Sequence, residues 1–392
     1  MKVLFVTGEF PPMQGGVGDY TRELGLVLAQ QGGTVQVVTS AAAGPVAGLT
    51  VYPRLDAWGW RSWPTLLALV RRERPDVVHV QYQAAAYGMH PAINLLPRCL
   101  RLLGAGRPRL AVTFHDLKVP YLFPKAGPLR RWAVEELARG SDAAITTNRE
   151  DYETLSAALV PSGPAVSLIP IGSNLAPHLP AGYRREDWRA RWGAAPGDLL
   201  LCFFGFVNDR KGVDTLLQAL RLLLEAEGGT VSPRLVMIGG QTGASDPTNV
   251  AYLARIQATI AELGLSERVR WTGYIPGEEV SACFACSDLC VLPFRDGVSF
   301  LHGTFHAALA HGAAIVTTRP RVPLPELEDG ENVCTVPPEE PELLAQAIVH
   351  LAADPDLRHE LGEGACRLAQ QFTWEAIASS TLEMYRSLLP GA

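Results

Sequence analysis

Three stretches of the chain carry residue types and spacings suited to holding a phosphate. In PFRDGVSFLHGTFHAALAHGAAIVTT, Pro293 to Thr318, Gly297 and Gly303 sit in a loop, and small residues follow at helical spacing from about Thr304. Glycine at the mouth of such a loop lets the backbone approach a ligand, and the helix behind it offers N–H groups and a favourable dipole to an anion. In GFVNDRKG, Gly205 to Gly212, Lys211 and Arg210 precede a second helical stretch. An ammonium there could meet the same anion, a solvated surface charge being the plainer alternative. In GEFPPMQGGVGDY, Gly15, Gly16 and Gly18 follow a first apolar run. Their spacing is not G-x-G-x-x-G and no acidic residue closes Val35 to Ser40, which disfavours a dinucleotide.

The elements that must position these loops alternate in the manner of α/β domains. Lys2 to Thr7 reads as a buried strand, Tyr20 to Gln30 as a helix and Val35 to Thr39 as a second strand. Strands follow at Asp76 to Val80, Leu110 to Phe114, Ala143 to Thr147 and Val166 to Pro170, with a helix at Pro64 to Arg74. Residues at strand carboxyl ends line the ligand crevice of an open α/β sheet, which brings forward His79, Gln81, His115 and Asp116. A histidine on a strand is otherwise a core residue, but two at equivalent strand ends favour a functional reading for His115. Asn174 to Gly197, rich in Pro, Gly and charge, reads as a junction. The alternation then restarts with strands at Leu199 to Phe204, Arg234 to Gly239, Val269 to Thr272 and Leu289 to Pro293, and helices at Val213 to Glu225, Asn249 to Leu263 and Glu278 to Cys286. A last helix runs from Trp374 to Leu389 with Thr373 as its N-cap.

A length of 392 residues exceeds one ordinary core and implies two domains, here 1–172 and 198–372 about a linker at 173–197. Two doubly wound Rossmann-like domains would face one another across a cleft. The net charge of −6 hides an asymmetry: by count the first 175 residues carry +4 and the remainder −10. Trp58, Trp60, Trp63 and Arg61, then Arg71, Arg72 and Arg74, and Leu95 to Leu103 with Arg98, Arg101, Arg107 and Arg109, make an anionic membrane surface one candidate partner. Nucleic acid is disfavoured by a pI near 5.9 and by the lack of any basic repeat. No apolar run approaches the roughly 18 residues of a membrane span, so a cytoplasmic protein is expected, with a peripheral position at the inner face of the membrane as the variant. Seven scattered cysteines fit a reducing compartment, and Cys283-x-x-Cys286 reads as core packing rather than a metal site.

Ten segments in order, GEFPPMQGGVGDY, PDVVHVQY, TFHD, AAITTNREDYETL, LIPIGSN, FFGFVNDRKGVDTLLQAL, RLVMIGG, VRWTGYIP, SDLCVLPFRDGVS and ALAHGAAIVTT, resemble the GT-B glycosyltransferases of family 4 over essentially the whole chain. The resemblance implies an acceptor domain followed by a domain for a nucleotide-diphosphate sugar, a crossing C-terminal helix, and transfer to a hydroxyl on a carbohydrate or lipid-linked acceptor. It also implies retention of configuration without a metal or cofactor; the one Asp-x-Asp, Asp354 and Asp356, reads as a turn. Lys211 matches the family's phosphate-binding lysine and His115 a histidine near the transferred sugar, making both the catalytic candidates. Donor contacts are expected from Gly16, Phe206, Asn208, Arg210, Lys211, Tyr274, Ile275, Ser299, His302, Gly303 and Thr304. Acceptor contacts are expected from Gln81, Tyr82 and Asp116.

The chain departs from the family where it matters. Ser299 and Ala307 stand at the positions of the usual pair of glutamates, and Phe206 at that of an arginine. Three readings follow: a divergent enzyme holding its donor through Ser299, His302, Thr304 and backbone groups; an enzyme with an unusual donor lacking the nucleotide; or an inactive homologue that binds sugar or phosphate as another enzyme's partner.

Overall fold

The computed structural model describes residues 1–13, 15–117, 127–226, 232–240 and 247–389. The chain divides into two compact units, Met1–Asn174 with Phe372–Ala392, and Leu175–Gln371.

The first unit is built on a seven-stranded parallel sheet: β1 (Lys2–Thr7), β2 (Thr34–Ser40), β3 (Thr50–Leu55), β4 (Val77–Tyr82), β5 (Arg109–Phe114), β6 (Ala143–Thr146) and β7 (Val166–Leu168). Its order, β3-β2-β1-β4-β5-β6-β7, reverses direction between β1 and β4. Helices α1 (Gly16–Gln30), α2 (Ser62–Glu73), α3 (Leu96–Arg101), α4 (Gly127–Gly140) and α5 (Arg149–Leu159) follow their strands. Strands buried on both faces need apolar residues at successive positions, which is why β1 and β4 are near-continuous runs. Their alternate side chains feed two cores: Leu4, Val6, Val78 and Val80 on one face, Val3, Phe5 and Val77 on the other. Strand β3 escapes a sequence reading because it is an edge strand with a half-exposed pattern and a proline, Pro53, which edges tolerate.

The second unit holds a six-stranded parallel sheet of β8 (Leu199–Phe204), β9 (Pro233–Ile238), β10 (Val269–Trp271), β11 (Leu289–Leu292), β12 (Ile315–Thr318) and β13 (Cys334–Val336), in the order β10-β9-β8-β11-β12-β13. Its helices are α6 (Arg185–Arg191), α7 (Val213–Glu225), α8 (Pro247–Glu262), α9 (Gly277–Cys286), α10 (Gly303–Ala310), α11 (Pro341–Ala353) and α12 (Pro355–Ala369). The stretch expected as a linker differs from that reading. Residues from Leu175 onward belong to the second unit, and α6 is fastened there by Arg185 and Arg189 to Asp288 at 2.7 and 2.9 Å. The charge here ion-pairs α6 to Asp288 at the amino end of β11, an interior strand of the second sheet.

The last helix, α13 (Trp374–Leu388), belongs to the first unit. Thr373 caps it by accepting from the Ala376 amide, and Ile377, Ala378, Met384 and Tyr385 enter the core that α1 lines. Asp354 is the N-cap of α12, accepting from Leu357. Cys283 and Cys286 are buried on α9, and among the described residues no cluster of three or more His, Cys, Asp or Glu side chains is arranged to hold a metal. No described helix is long and apolar enough to cross a membrane.

Candidate active site

In each sheet the strand order reverses, and the carboxyl ends of the strands at such a reversal are where open α/β sheets hold ligands. In the first unit His115 lies just past β5. Its Nε2 lies 2.8 Å from Gln81 Oε1 at the end of the neighbouring β4, so with the amide oxygen accepting, Nε2 carries the proton and Nδ1 keeps a lone pair. Tyr20 of α1 packs edge-on against the imidazole with ring centroids 4.7 Å apart, and Trp374 of α13 packs on Tyr20 at 5.3 Å. Burial by these rings pushes the His115 pKa down to about 3, so the ring is neutral at physiological pH.

Several neighbours differ from their sequence reading. His79 is wholly buried, with Nδ1 2.5 Å from Tyr385 Oη and Nε2 2.8 Å from Thr113 Oγ1; it ties α13 to the sheet and faces no ligand space. Strand alternation points His79 and Gln81 to one face, and α13 covers His79 there. Gln81 is also buried, so it reaches solvent only through His115. Tyr82, expected to touch an acceptor, points to the opposite face, 3% exposed in the core against Phe114, with its hydroxyl accepting from Asn94. Asp116 remains half-exposed beside His115.

Gly16 opens α1 and is exposed, but the slot at that helix N-terminus is filled from within. Glu9 Oε1 accepts from the amides of Val17 and Gly18 at 3.0 and 3.3 Å, and a side chain on Gly15 would collide with that carboxylate. An acidic residue five to nine positions ahead of a glycine-started helix was the available sequence signal for this cap.

The second unit has its own cluster around Gly205, at the end of β8 with φ of +112°. A β-carbon on Gly205 would collide with Lys211 Nζ and with Thr304 Cγ2, so only glycine lets the ammonium and the start of α10 close on one point. Gly212 is equally constrained, with φ of +61° and Pro293 O where its side chain would stand. Lys211 is desolvated over the Phe203 ring, 5.8 Å from its centroid, and burial lowers its pKa to about 8. Arg295, whose amide donates to Arg210 O of this loop, is bound to the carboxylates of Asp214 and Glu339. Lys211 has no carboxylate partner among the described residues, and Thr304 Oγ1 and Asn208 Oδ1 are buried without a hydrogen bond. Buried polar atoms without a partner beside an unpaired cation fit a site that a ligand completes.

Around that point, α10 starts at Gly303 without a side-chain cap, leaving its first amides ahead of the helix's own bonds. His302 stacks on Phe294, centroids 3.9 Å apart, and its Nδ1 accepts from the Ser299 amide, so it braces the loop. Ser299 Oγ accepts from Leu301, and Ala307 is 1% exposed inside α10. Neither position offers a carboxylate. Phe206 and Tyr274 stand 50% and 90% exposed beyond the ends of β8 and β10, and Phe206 lies against Gly240 beyond β9. Ile275 is half-exposed, and Arg210 is exposed with its carbonyl accepting from the Arg295 amide.

The chain is similar to known proteins along both units. Residues 15–172 match the model of the glycosyl transferase 4-like domain, and residues 198–354 that of glycosyl transferases group 1. A GDP-mannose-dependent alpha-(1-6)-phosphatidylinositol monomannoside mannosyltransferase of Mycobacterium tuberculosis is 24% identical, covering 98% of both chains. A D-inositol 3-phosphate glycosyltransferase of Streptomyces bingchenggensis is 27% identical over 66% of this chain, which spans 55% of that relative's length. Among solved structures, sucrose-phosphate synthase from Thermosynechococcus elongatus superposes with a TM-score of 0.73 at 22% identity over the full length of both chains. Anabaena HepE in complex with UDP does so with a TM-score of 0.72 at 18% identity over 99% of this chain and 100% of that one. With two parallel Rossmann-like units and both family models matched in order, this chain belongs to the group 1 glycosyltransferases of the GT-B fold.

Proposed function

We propose that the protein transfers a sugar from a nucleotide-diphosphate donor to a hydroxyl acceptor with retention of configuration, using neither a metal nor a cofactor. The observation that carries this is the unpaired, desolvated Lys211 closing with Thr304 on Gly205. Cleavage of the sugar–phosphate bond moves negative charge onto the departing diphosphate. A cation already stripped of water and the open amides at Gly303 and Thr304 meet that charge without reorganisation. Support for a nucleotide donor comes from relatives named for GDP-mannose and from neighbours solved with UDP and UDP-glucose. Phe206, Tyr274 and Ile275, beside the loop, offer apolar surface for a planar base.

His115 serves this reaction as a neutral group. A pKa near 3 leaves it no imidazolium proton near pH 7, so with Nε2 donating to Gln81 it acts by accepting, at Nδ1, a hydrogen bond from a hydroxyl of the transferred sugar. In a transfer with retention the acceptor hydroxyl attacks on the face the leaving group departs from. The oxygen freed from C1 of the sugar is then the base at hand for the hydroxyl proton. Ser299 and Ala307 supply no carboxylate for a covalent intermediate, in keeping with that route. The acceptor is a carbohydrate or lipid-linked hydroxyl compound, and contact with an anionic membrane surface is part of the proposal.

The test is calorimetric titration of UDP and GDP, followed by mass spectrometry of donor hydrolysis across a panel of nucleotide sugars. Binding of one nucleotide with hydrolysis of its sugar is the expected result; binding of none overturns the reading.

A further inference from the structure

A second cationic site lies at the opposite rim of the first unit's sheet. A cavity of about 830 Å³ is lined by Arg71, Arg74, Arg107 and Arg109, by Asp76 and by Leu102. Arg107 holds Asp142 through two bonds of 2.7 and 2.9 Å, and Arg109 reaches the same carboxylate at 3.4 Å. Asp76 accepts from the Lys2 amide at 2.7 Å. Arg71 and Arg74 are exposed and their guanidinium groups have no hydrogen-bond or ion-pair partner among the described residues, so the pocket keeps an uncompensated positive charge. Beside it Leu102 stands 70% exposed, an apolar side chain turned to solvent next to arginines.

Complementing the helix dipole explains Arg71 in the last turn of α2, but not Arg107 and Arg109 on another element. Nor does it explain Arg74, which sits just past the helix at φ of +48°, a conformation suited to glycine or asparagine. The fold also divides what the sequence runs together. Trp58 packs on Tyr87 and Trp63 donates to Ala92 O, so of the tryptophan cluster only Trp60 is largely exposed, and it lies ahead of α2. The arginines lie at the other end of that helix, about 18 Å away at 1.5 Å per residue.

We propose that this pocket receives the phosphate of an anionic phospholipid, with Leu102 entering the headgroup layer, and that the first unit rests on a membrane through this rim. The inference rests on the membrane part of the proposed function and names its site. Guanidinium forks suit phosphate oxygens, and an exposed leucine beside them suits a lipid source over a free anion. Strands of six residues separate this rim from His115 by about 20 Å, so a headgroup held here is an anchor and not the acceptor.

The full chain is tested by co-sedimentation with vesicles of phosphatidylcholine alone and with added phosphatidylglycerol. Wild type should pellet with the anionic vesicles only. Arg71→Glu with Arg74→Glu should lower that partition by roughly tenfold or more, and Leu102→Ser by less, with donor hydrolysis unchanged. Equal pelleting of wild type and the double variant, or none by either, overturns the assignment. Loss of pelleting in Trp60→Ala with retention in the arginine variant leaves membrane contact standing and moves it to the other end of α2. Arg71-dependent binding of inorganic phosphate, with no vesicle binding, makes the ligand a free anion and overturns the lipid.

Discussion

Gly205 and Lys211 share one space: a β-carbon on the glycine would stand where the lysine's ammonium lies. Replacing Gly205 with alanine should therefore displace Nζ and strain a backbone held at φ of +112°, a cost of about 1–3 kcal/mol. Donor titration should show binding lost in Gly205→Ala while circular dichroism shows the fold retained. Unaltered donor affinity would separate Gly205 from the site.

Lys211→Ala should lower turnover on the order of 100- to 1000-fold and weaken nucleotide-diphosphate binding, because it removes a desolvated charge from the leaving group. Lys211→Arg should restore part of the binding and little of the rate, the fork being too wide for the space over Phe203. Wild-type kinetics in the alanine variant would end the role assigned to this residue.

The same lysine gives a pH signature. Its pKa of about 8 in the free protein means that the charge is present below pH 8 and lost above it. Nucleotide-diphosphate affinity should be near its maximum around pH 7 to 7.5, where the terminal phosphate is ionised and the lysine still charged, and fall above pH 8, towards tenfold per unit, until the pKa of the complex is reached. Calorimetry across that range checks the slope, which should be absent in Lys211→Ala.

His115→Ala should reduce kcat by about 10- to 100-fold, the equivalent of one or two hydrogen bonds, with a smaller change in donor KM. Gln81→Ala leaves the imidazole in place but frees its orientation, so a milder loss of kcat is expected, with Gln81→Glu shifting the pH profile by favouring imidazolium. A kcat unmoved by either change would make His115 a packing residue under Tyr20.

Tyr385→Phe should cost about 1–3 kcal/mol in urea unfolding, because it leaves His79 Nδ1 buried without a partner. The burial of His79 also predicts acid sensitivity. Its folded pKa of about 3 lies below the ordinary 6.5, so the unfolded chain binds the proton first. Stability is complete above pH 6.5 and declines towards pH 3, by up to about 1.4 kcal/mol per pH unit for this histidine. Urea midpoints at pH 7, 5.5 and 4.5 measure it.

The sequence by itself determined the two α/β units, because buried parallel strands must be apolar at every position and Lys2 to Thr7 and Leu199 to Phe204 can be little else. Gly205 and Gly212 were legible as well, because their positive φ restricts those positions to glycine. Direction and partnership were decided only by tertiary structure. His79 and His115 both lie at the ends of strands in the sequence, yet α13, arriving some 300 residues later, buries one and leaves the other at the crevice. Tyr82 faces the core because strand alternation sets its side, and Glu9 reaches the helix start because the loop between them folds back. A residue's neighbours across the fold are set by packing of distant segments, which no local pattern of residue types can specify.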